Sequence, residues 1–274
     1  EAILARRGKS VSYLSTTQTV QNKPPPQRLP RSQVSKLQRI YYINLDKRTD
    51  KRAFMEGWLG REAHFSASMN QTMVPYDRIS AMRPTEDEMT CKGVKKDNPT
   101  RCRGVVGLIK SNLKIMKEHN TSGMTLVMED DFQPTSSSTT TFVERVERAI
   151  ADHVPDDWDV VRLDCWGRRP DHFVEPLEVR EGGRPTVFET RIDPEAVVPA
   201  NGKKKRRFFC GGTHAVVWRE DSIHKLRALW SMKPYNGIDC ALSTDRAESV
   251  GLKSYCINKG LVENSDSFES DIPK

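Results

Sequence analysis

Met124-Thr-Leu-Val-Met-Glu-Asp-Asp131 is a short apolar run that ends in three carboxylates and is followed by Phe132-Gln-Pro134. Bounded by Gly123 and Pro134, it reads as a buried strand whose acids emerge together at the C-terminal edge. In open α/β sheets that edge is where ligands bind. Adjacent carboxylates repel one another unless water or a cation intervenes, and clustered hard oxygen donors suit Mg²⁺ or Mn²⁺ holding a diphosphate. At an effective dielectric of about 20, unit charges ~4 Å apart interact by about 4 kcal/mol, enough to matter to a reaction barrier. Taken alone, the motif leaves a solvated acidic loop as its alternative.

Upstream of this strand, Val105, Leu108, Ile109, Leu113 and Met116 form the stripe of a helix packed on a core, with Asn112 on the same stripe. Further upstream, Ile40-Tyr-Tyr-Ile-Asn-Leu45 reads as a strand, and Thr49 or Asp50 is placed to cap a helix that turns Phe54, Met55, Trp58 and Leu59 to one side. Downstream, Thr141 to Ile150 reads as a helix and Trp158 to Leu163 as a strand. A further strand falls within Phe208 to Trp218, Asp221 is placed to cap a helix with Ile223, Leu226 and Trp230 inward, and Leu252 to Ile257 closes the series as a strand. Alternating strands and helices predict an α/β fold with a mostly parallel sheet covered by helices on both faces. Residues 167–207, charged and rich in Pro and Gly, are expected to be an excursion from that sheet. Residues 1–37 carry Pro24-Pro-Pro26 and little periodicity, the composition of a flexible stem, which leaves 38–274 as one folded domain.

The chain has 274 residues and a formal charge of +7, but Lys and Arg alternate with acids along nearly its whole length, so basicity alone selects no partner. No run of about 18 apolar residues exists, so membrane association is expected only through a segment absent from this sequence. The six cysteines lack the close pairing of a zinc site. Cys91 and Cys102 flank a Lys-rich loop that a disulfide would restrain, while the other four read equally well as isolated buried thiols. Asn70-Gln-Thr72 and Asn120-Thr-Ser122 match the glycosylation pattern, which favours the secretory lumen, Golgi or endoplasmic reticulum.

Other residues carry chemistry beside the acids. Asn44-Leu-Asp-Lys-Arg48 follows the first strand, where Asn44 and Asp46 can meet a base or ribose and Arg48 or Arg52 a phosphate; either arginine reads equally as an exposed helix residue. Arg78, in Tyr76-Asp-Arg-Ile79, is a weaker candidate of the same kind. Gly211-Gly-Thr-His214 joins backbone freedom to a hydroxyl and an imidazole, so Gly212 and His214 can form a donor or acceptor wall, with a structural histidine as the alternative. Asp239 reads as a general base or as a helix cap. Glu263, Asp266 and Asp271 form a late acidic scatter. Lys203-Lys-Lys-Arg-Arg207 lacks the interleaved aromatics of a single-strand platform, so no nucleic-acid partner is expected.

In order along the chain, Tyr42-Ile-Asn-Leu-Asp-Lys-Arg48 with Arg52, Asp77-Arg-Ile-Ser-Ala81, the 104–117 helix, Leu126 to Asp131 and Ser270-Asp-Ile272 resemble glycosyltransferase family 25. That family includes lipopolysaccharide and procollagen galactosyltransferases. The resemblance implies a GT-A-like fold, a UDP-sugar donor (often UDP-galactose), a divalent metal, and inversion during transfer to a hydroxyl of a glycan, glycolipid or protein. On matched positions it implies Asp130 and Asp131 as metal ligands, Glu129 beside them, Asn44, Asp46, Arg48, Arg52 and Arg78 on the donor side with Ser111, Asn112, Gly212 and His214, and Asp239 as the base. Where the family commonly reads Ser-His, this chain reads Ser111-Asn112, and an amide can replace a hydrogen bond but cannot titrate near neutral pH. Two other readings stand beside this one: a metal-dependent phosphohydrolase, and a noncatalytic anion-binding module built on Lys203 to Arg207.

Overall fold

The computed structural model describes residues 36–71, 73–91, 99–118, 123–135, 137, 139–165, 170–192, 211–235 and 237–264. Most of the expected stem, Asn120-Thr-Ser122, Thr72, the 203–207 basic run, Cys210, Asp266, Asp271 and Ser270-Asp-Ile272 lie outside the described residues.

The β-rich opening run forms β1 (Leu37–Asn44), which enters α1 (Thr49–Ser68) through a tight turn closed by Arg48 N donating to Leu45 O at 2.8 Å. Neither Thr49 nor Asp50 caps this helix as expected. Arg48 occupies the cap position without a side-chain bond, and Asp50 accepts instead from the Arg48 guanidinium. Then come β2 (Tyr76–Ser80), α2 (Pro99–Glu118), β3 (Met124–Glu129) and the short β4 (Phe132–Pro134). Helix α3 (Phe142–His153) is capped by Thr141, whose hydroxyl accepts from Glu144 N at 3.2 Å, and is followed by β5 (Val160–Leu163).

The 167–207 stretch contains what its composition concealed. β6 (Pro176–Val179) and β7 (Pro185–Glu189) form a hairpin that extends the sheet, and Val187 and Phe188 are fully buried. Expecting an excursion here was wrong because these strands are short and bounded by Pro and Gly. After them follow β8 (Ala215–Arg219), α4 (Ile223–Ser231), two short helices α5 (Ile238–Ala241) and α6 (Asp245–Ser249), then β9 (Ser254–Ile257) and β10 (Val262–Asn264). Asp221 does not cap α4. It lies in a single 3-10 turn, and Arg219 Nε and Nη2 hold its carboxylate at 3.0 and 2.7 Å.

The eight-stranded sheet runs β2-β1-β3-β8-β5-β9-β7-β6, while β4 and β10 pair apart from it. Six of the eight strands share one direction, and only β7 and β8 oppose it. This is the expected α/β class: a mostly parallel, mixed sheet with helices on both faces. Alternation along the strands separates the two cores. Ile40, Tyr42, Leu126, Met128 and Val217 face α1 and α3. Tyr41, Ile43, Val127, Val216 and Trp218 face α2, α4, α5 and α6. On α2 the buried face is wider than the apolar stripe, taking in Cys102, Gly107, Ser111 and Asn112, with Val105, Leu108 and Leu113 only partly buried. Among the described residues, no helix is long and apolar enough to cross a membrane.

Cys91–Cys102 is a disulfide, as its flanking position suggested. The remaining described cysteines are not isolated thiols: Cys165 bonds Cys256, and Cys240 is disulfide-bonded as well.

Candidate functional site

Strand β3 lies between β1 and β8, and because β8 runs the opposite way its first residues sit at the edge where β3 ends. His214 therefore meets the acids: Glu129 N donates to His214 O at 2.8 Å. Beyond Glu129 the chain turns away to pair β4 with β10. That turn is fastened twice. Arg145 on α3 donates to Thr135 Oγ1 at 2.8 Å and to the Thr135 carbonyl, and Asp164, at the end of β5, accepts from the backbone N–H groups of Gly260, Leu261 and Val262 at 2.7, 2.5 and 2.6 Å.

The three acids then part company. Asp130 points inward and is 8% exposed; its Oδ2 accepts from Asn44 at 2.7 Å and its Oδ1 from Lys51 Nζ at 3.3 Å. Asp131 Oδ2 lies 3.7 Å from the same ammonium, whereas its Oδ1 is buried without a hydrogen-bond partner. Glu129 Oε1 is 3.5 Å from His214 Nδ1. Glu129, Asp131 and His214 offer ligand atoms that all lie within 4.8 Å of one another. The convergent group is thus not the Asp130 and Asp131 pair expected from the motif, because Asp130 is engaged in holding the loop. Carboxylates plus one imidazole at this spacing fit a divalent cation.

Electrostatics follow the geometry. Burial, then the neighbouring Glu129 carboxylate, raises the Asp131 pKa. Burial pulls the His214 pKa down, but the Glu129 carboxylate 3.5 Å away and the charges of Asp131 and Asp239 outweigh that, and the net shift is upward. The imidazole is also wedged in place. Phe132 stacks on it with ring centroids 4.0 Å apart, and Gly212, at φ +42°, lies so close that an added Cβ would stand 3.0 Å from His214 Cδ2.

Of the expected donor-side residues, Asn44, Asp46 and Arg78 form one hydrogen-bonded network, while Arg52, Ser111 and Asn112 bond elsewhere. Asn44, fully buried, donates to Asp130 and to Arg48 O at 3.1 Å and accepts from Arg78 Nε at 3.0 Å. It is a latch rather than a free base contact. Asp46 accepts from Arg78 and from Ser80 Oγ at 2.8 Å, and these bonds hold its carboxyl below the usual range. Arg52 pairs with Glu56 on the exposed side of α1. Ser111 clamps the segment after β2, accepting from Met82 N at 2.9 Å and donating to Gly107 O at 2.8 Å. Asn112 donates to Leu108 O and borders a void of about 10 Å³ shared with Glu129, Thr213 and Ile238, room for one water at most. Asp239 sits in the first turn of α5, its Oδ1 accepting from Cys240 N at 2.9 Å, and its charge is felt by both His214 and Arg162. Glu263 is exposed and accepts from Gln133.

Two buried cations around these groups escaped the sequence reading. Lys51 is one, and it was legible: with Met55, Trp58 and Leu59 it keeps the i, i+4, i+7, i+8 spacing of a buried stripe. Arg162 is the other. Fully buried on β5, it donates to Gly211 O at 3.1 Å and to Ser243 Oγ at 2.5 Å, tying the loop before His214 to the end of α5; burial lowers its pKa to about 10 against the opposing charge of Asp239. A cavity of about 330 Å³ lies elsewhere, between β7, β9 and α6. In its walls Arg191 lies 3.4 Å from Glu248 and 3.9 Å from Glu189, and the acids of β3 do not line it.

No family model matches this sequence. No curated protein matches it either. Among solved structures, a glycosyltransferase involved in the glycosylation of the major capsid of PBCV-1 aligns over 84% of this chain and 93% of its own, at 7% identity and a TM-score of 0.43. UDP-glucose pyrophosphorylase from Acinetobacter baumannii aligns over 83% of this chain and 72% of its own, at 12% identity and a TM-score of 0.43. The CTP complex of CMP:2-keto-3-deoxy-manno-octonic acid synthetase aligns over 83% and 74%, at 12% identity and a TM-score of 0.30. None of these identities places the chain in a family.

Proposed function

We propose that this protein is a metal-dependent, inverting glycosyltransferase that moves a hexose, galactose in the first instance, from a UDP-sugar to an acceptor hydroxyl of a glycan, glycolipid or protein. The observation that carries this reading is the convergence of Glu129, Asp131 and His214 at the C-terminal edge of β3, with a buried Asp131 oxygen that lacks a hydrogen-bond partner. The ordered motifs resembling glycosyltransferase family 25 support it independently. Glu129, Asp131 and His214 would hold Mn²⁺ or Mg²⁺, and Asp130 would secure the loop. Such an ion, when bound, neutralises charge developing on a departing diphosphate. Asp239 takes the proton of the acceptor hydroxyl as that oxygen attacks the anomeric carbon opposite the leaving group. The disulfides favour an oxidising compartment, so the proposed location is the lumen of the Golgi or endoplasmic reticulum.

The test is UDP release across a panel of UDP-sugars, with Mn²⁺ or with EDTA, and with and without acceptor. Acceptor product that requires metal, and falls at least ~100-fold in Asp131→Asn and in His214→Gln, is expected. Undiminished transfer by either variant would overturn the ligand assignment. Release of free sugar under saturating acceptor would instead indicate a hydrolase.

A further inference from the structure

A lysine that is 2% exposed is unusual, because its ammonium is strongly hydrated and normally reaches water. Lys51 instead runs its stem along the core-facing stripe of α1 and ends between two of the three acids. Its Nζ is 3.3 Å from Asp130 Oδ1 and 3.7 Å from Asp131 Oδ2. These two carboxylates are not equivalent. Asp130 is also held by Asn44 at 2.7 Å, so it keeps a partner whatever Lys51 does. Asp131 shares the ammonium through one oxygen, its other oxygen is buried without a hydrogen-bond partner, and its carboxylate lies within reach of Glu129 and His214.

We propose that Lys51 is a tethered cation that competes with the divalent ion for Asp131 and so sets how tightly that ion is held. The inference rests on the metal reading above and deepens it. Three carboxylates with one ammonium leave a charge that a single divalent ion cancels. The same ammonium, only a few ångströms from the ion's place, repels it. Without the ion, Lys51 keeps the acids from repelling each other and the loop stays folded. With the ion bound, the ammonium has Asp130 to itself.

The experiment is calorimetric titration of Mn²⁺ into the full chain, alongside melting curves with and without Mn²⁺. Lys51→Gln keeps a hydrogen-bond donor and removes the charge; it should bind Mn²⁺ at least about tenfold more tightly than the wild type, at the same stoichiometry. Its metal-free form should melt lower, and Mn²⁺ should raise its melting point by more than it raises the wild type's. Lys51→Arg keeps the charge and can grip a carboxylate with two N–H groups, so its Mn²⁺ affinity should equal the wild type's or be weaker. A folded Lys51→Gln that binds Mn²⁺ no more tightly than the wild type overturns the inference and leaves the metal site standing. Tighter binding by Lys51→Arg overturns it too, and decides the matter should the Gln variant not fold. A wild-type protein that takes up no Mn²⁺ removes the metal site and the inference together.

Discussion

Gly212→Ala isolates the wedge that holds the His214 imidazole. The change has two costs that can be worked separately. At φ +42° an L-residue with a Cβ is strained by about 1–2 kcal/mol. The new Cβ would also stand 3.0 Å from His214 Cδ2 and 3.4 Å from Nε2, so the ring, already stacked on Phe132 at 4.0 Å, must shift. Overpacking of this sort costs about 1–3 kcal/mol. The two together, about 3 kcal/mol, correspond to a fall in melting temperature of roughly 6–12 °C for a chain of this size. Gly251→Ala serves as the control. Its φ is +64° but nothing lies within 4 Å of the added carbon, so only the strain applies, and its melting point should drop by about half as much. Calorimetric titration supplies the second readout: Mn²⁺ affinity should fall about tenfold in Gly212→Ala, the equivalent of ~1.4 kcal/mol, and stay unchanged in Gly251→Ala. Equal melting points and equal affinities in the two variants would refute the idea that Gly212 positions the imidazole.

The Cys91–Cys102 disulfide closes a loop with a sequence separation of 11, so Cys91→Ser/Cys102→Ser should lose about 3 kcal/mol in urea unfolding; a change below ~1 kcal/mol would mean the unfolded loop is already compact. Glu88 provides a pH signature. Its bonds to Lys110 and then to the Thr85 backbone hold its carboxyl down at about 2, so the stability it adds is present above the ordinary glutamate range and is lost as pH falls toward 2. Glu88→Gln should therefore melt below the wild type at neutral pH and converge with it near pH 2, whereas a constant gap between the two curves would contradict this role.

The fold was largely readable because its central strands are unambiguous. An apolar run such as residues 124–128, bounded by Gly and ended by acids, has little alternative to a buried strand, and the stripe of α2 has the period of a packed helix. The β6 and β7 strands were not readable, since a short hairpin at a sheet edge takes its stability from β9, a partner remote in sequence. In the site, Glu129, Asp131 and His214 were each identifiable by residue type, but their meeting depends on β8 running backwards, which no local pattern encodes. The same limit explains Asp130 and Asn44. Their types suit ligand binding, and only the placement of Lys51 and Arg78 around them shows that their hydrogen bonds are engaged within the protein.

The pairing of β4 with β10 makes the acid-bearing turn hostage to a distant part of the chain. Val262 and Asn264 form the ladder that receives Phe132 and Pro134, and Asp164 fastens the approach to it. Loss of residues 262–264 would leave all three carboxylates in the polypeptide while stripping away the brace behind them. A chain shortened there would keep its acids on a slack turn, so mass analysis of the C-terminal region belongs beside every measurement of metal uptake.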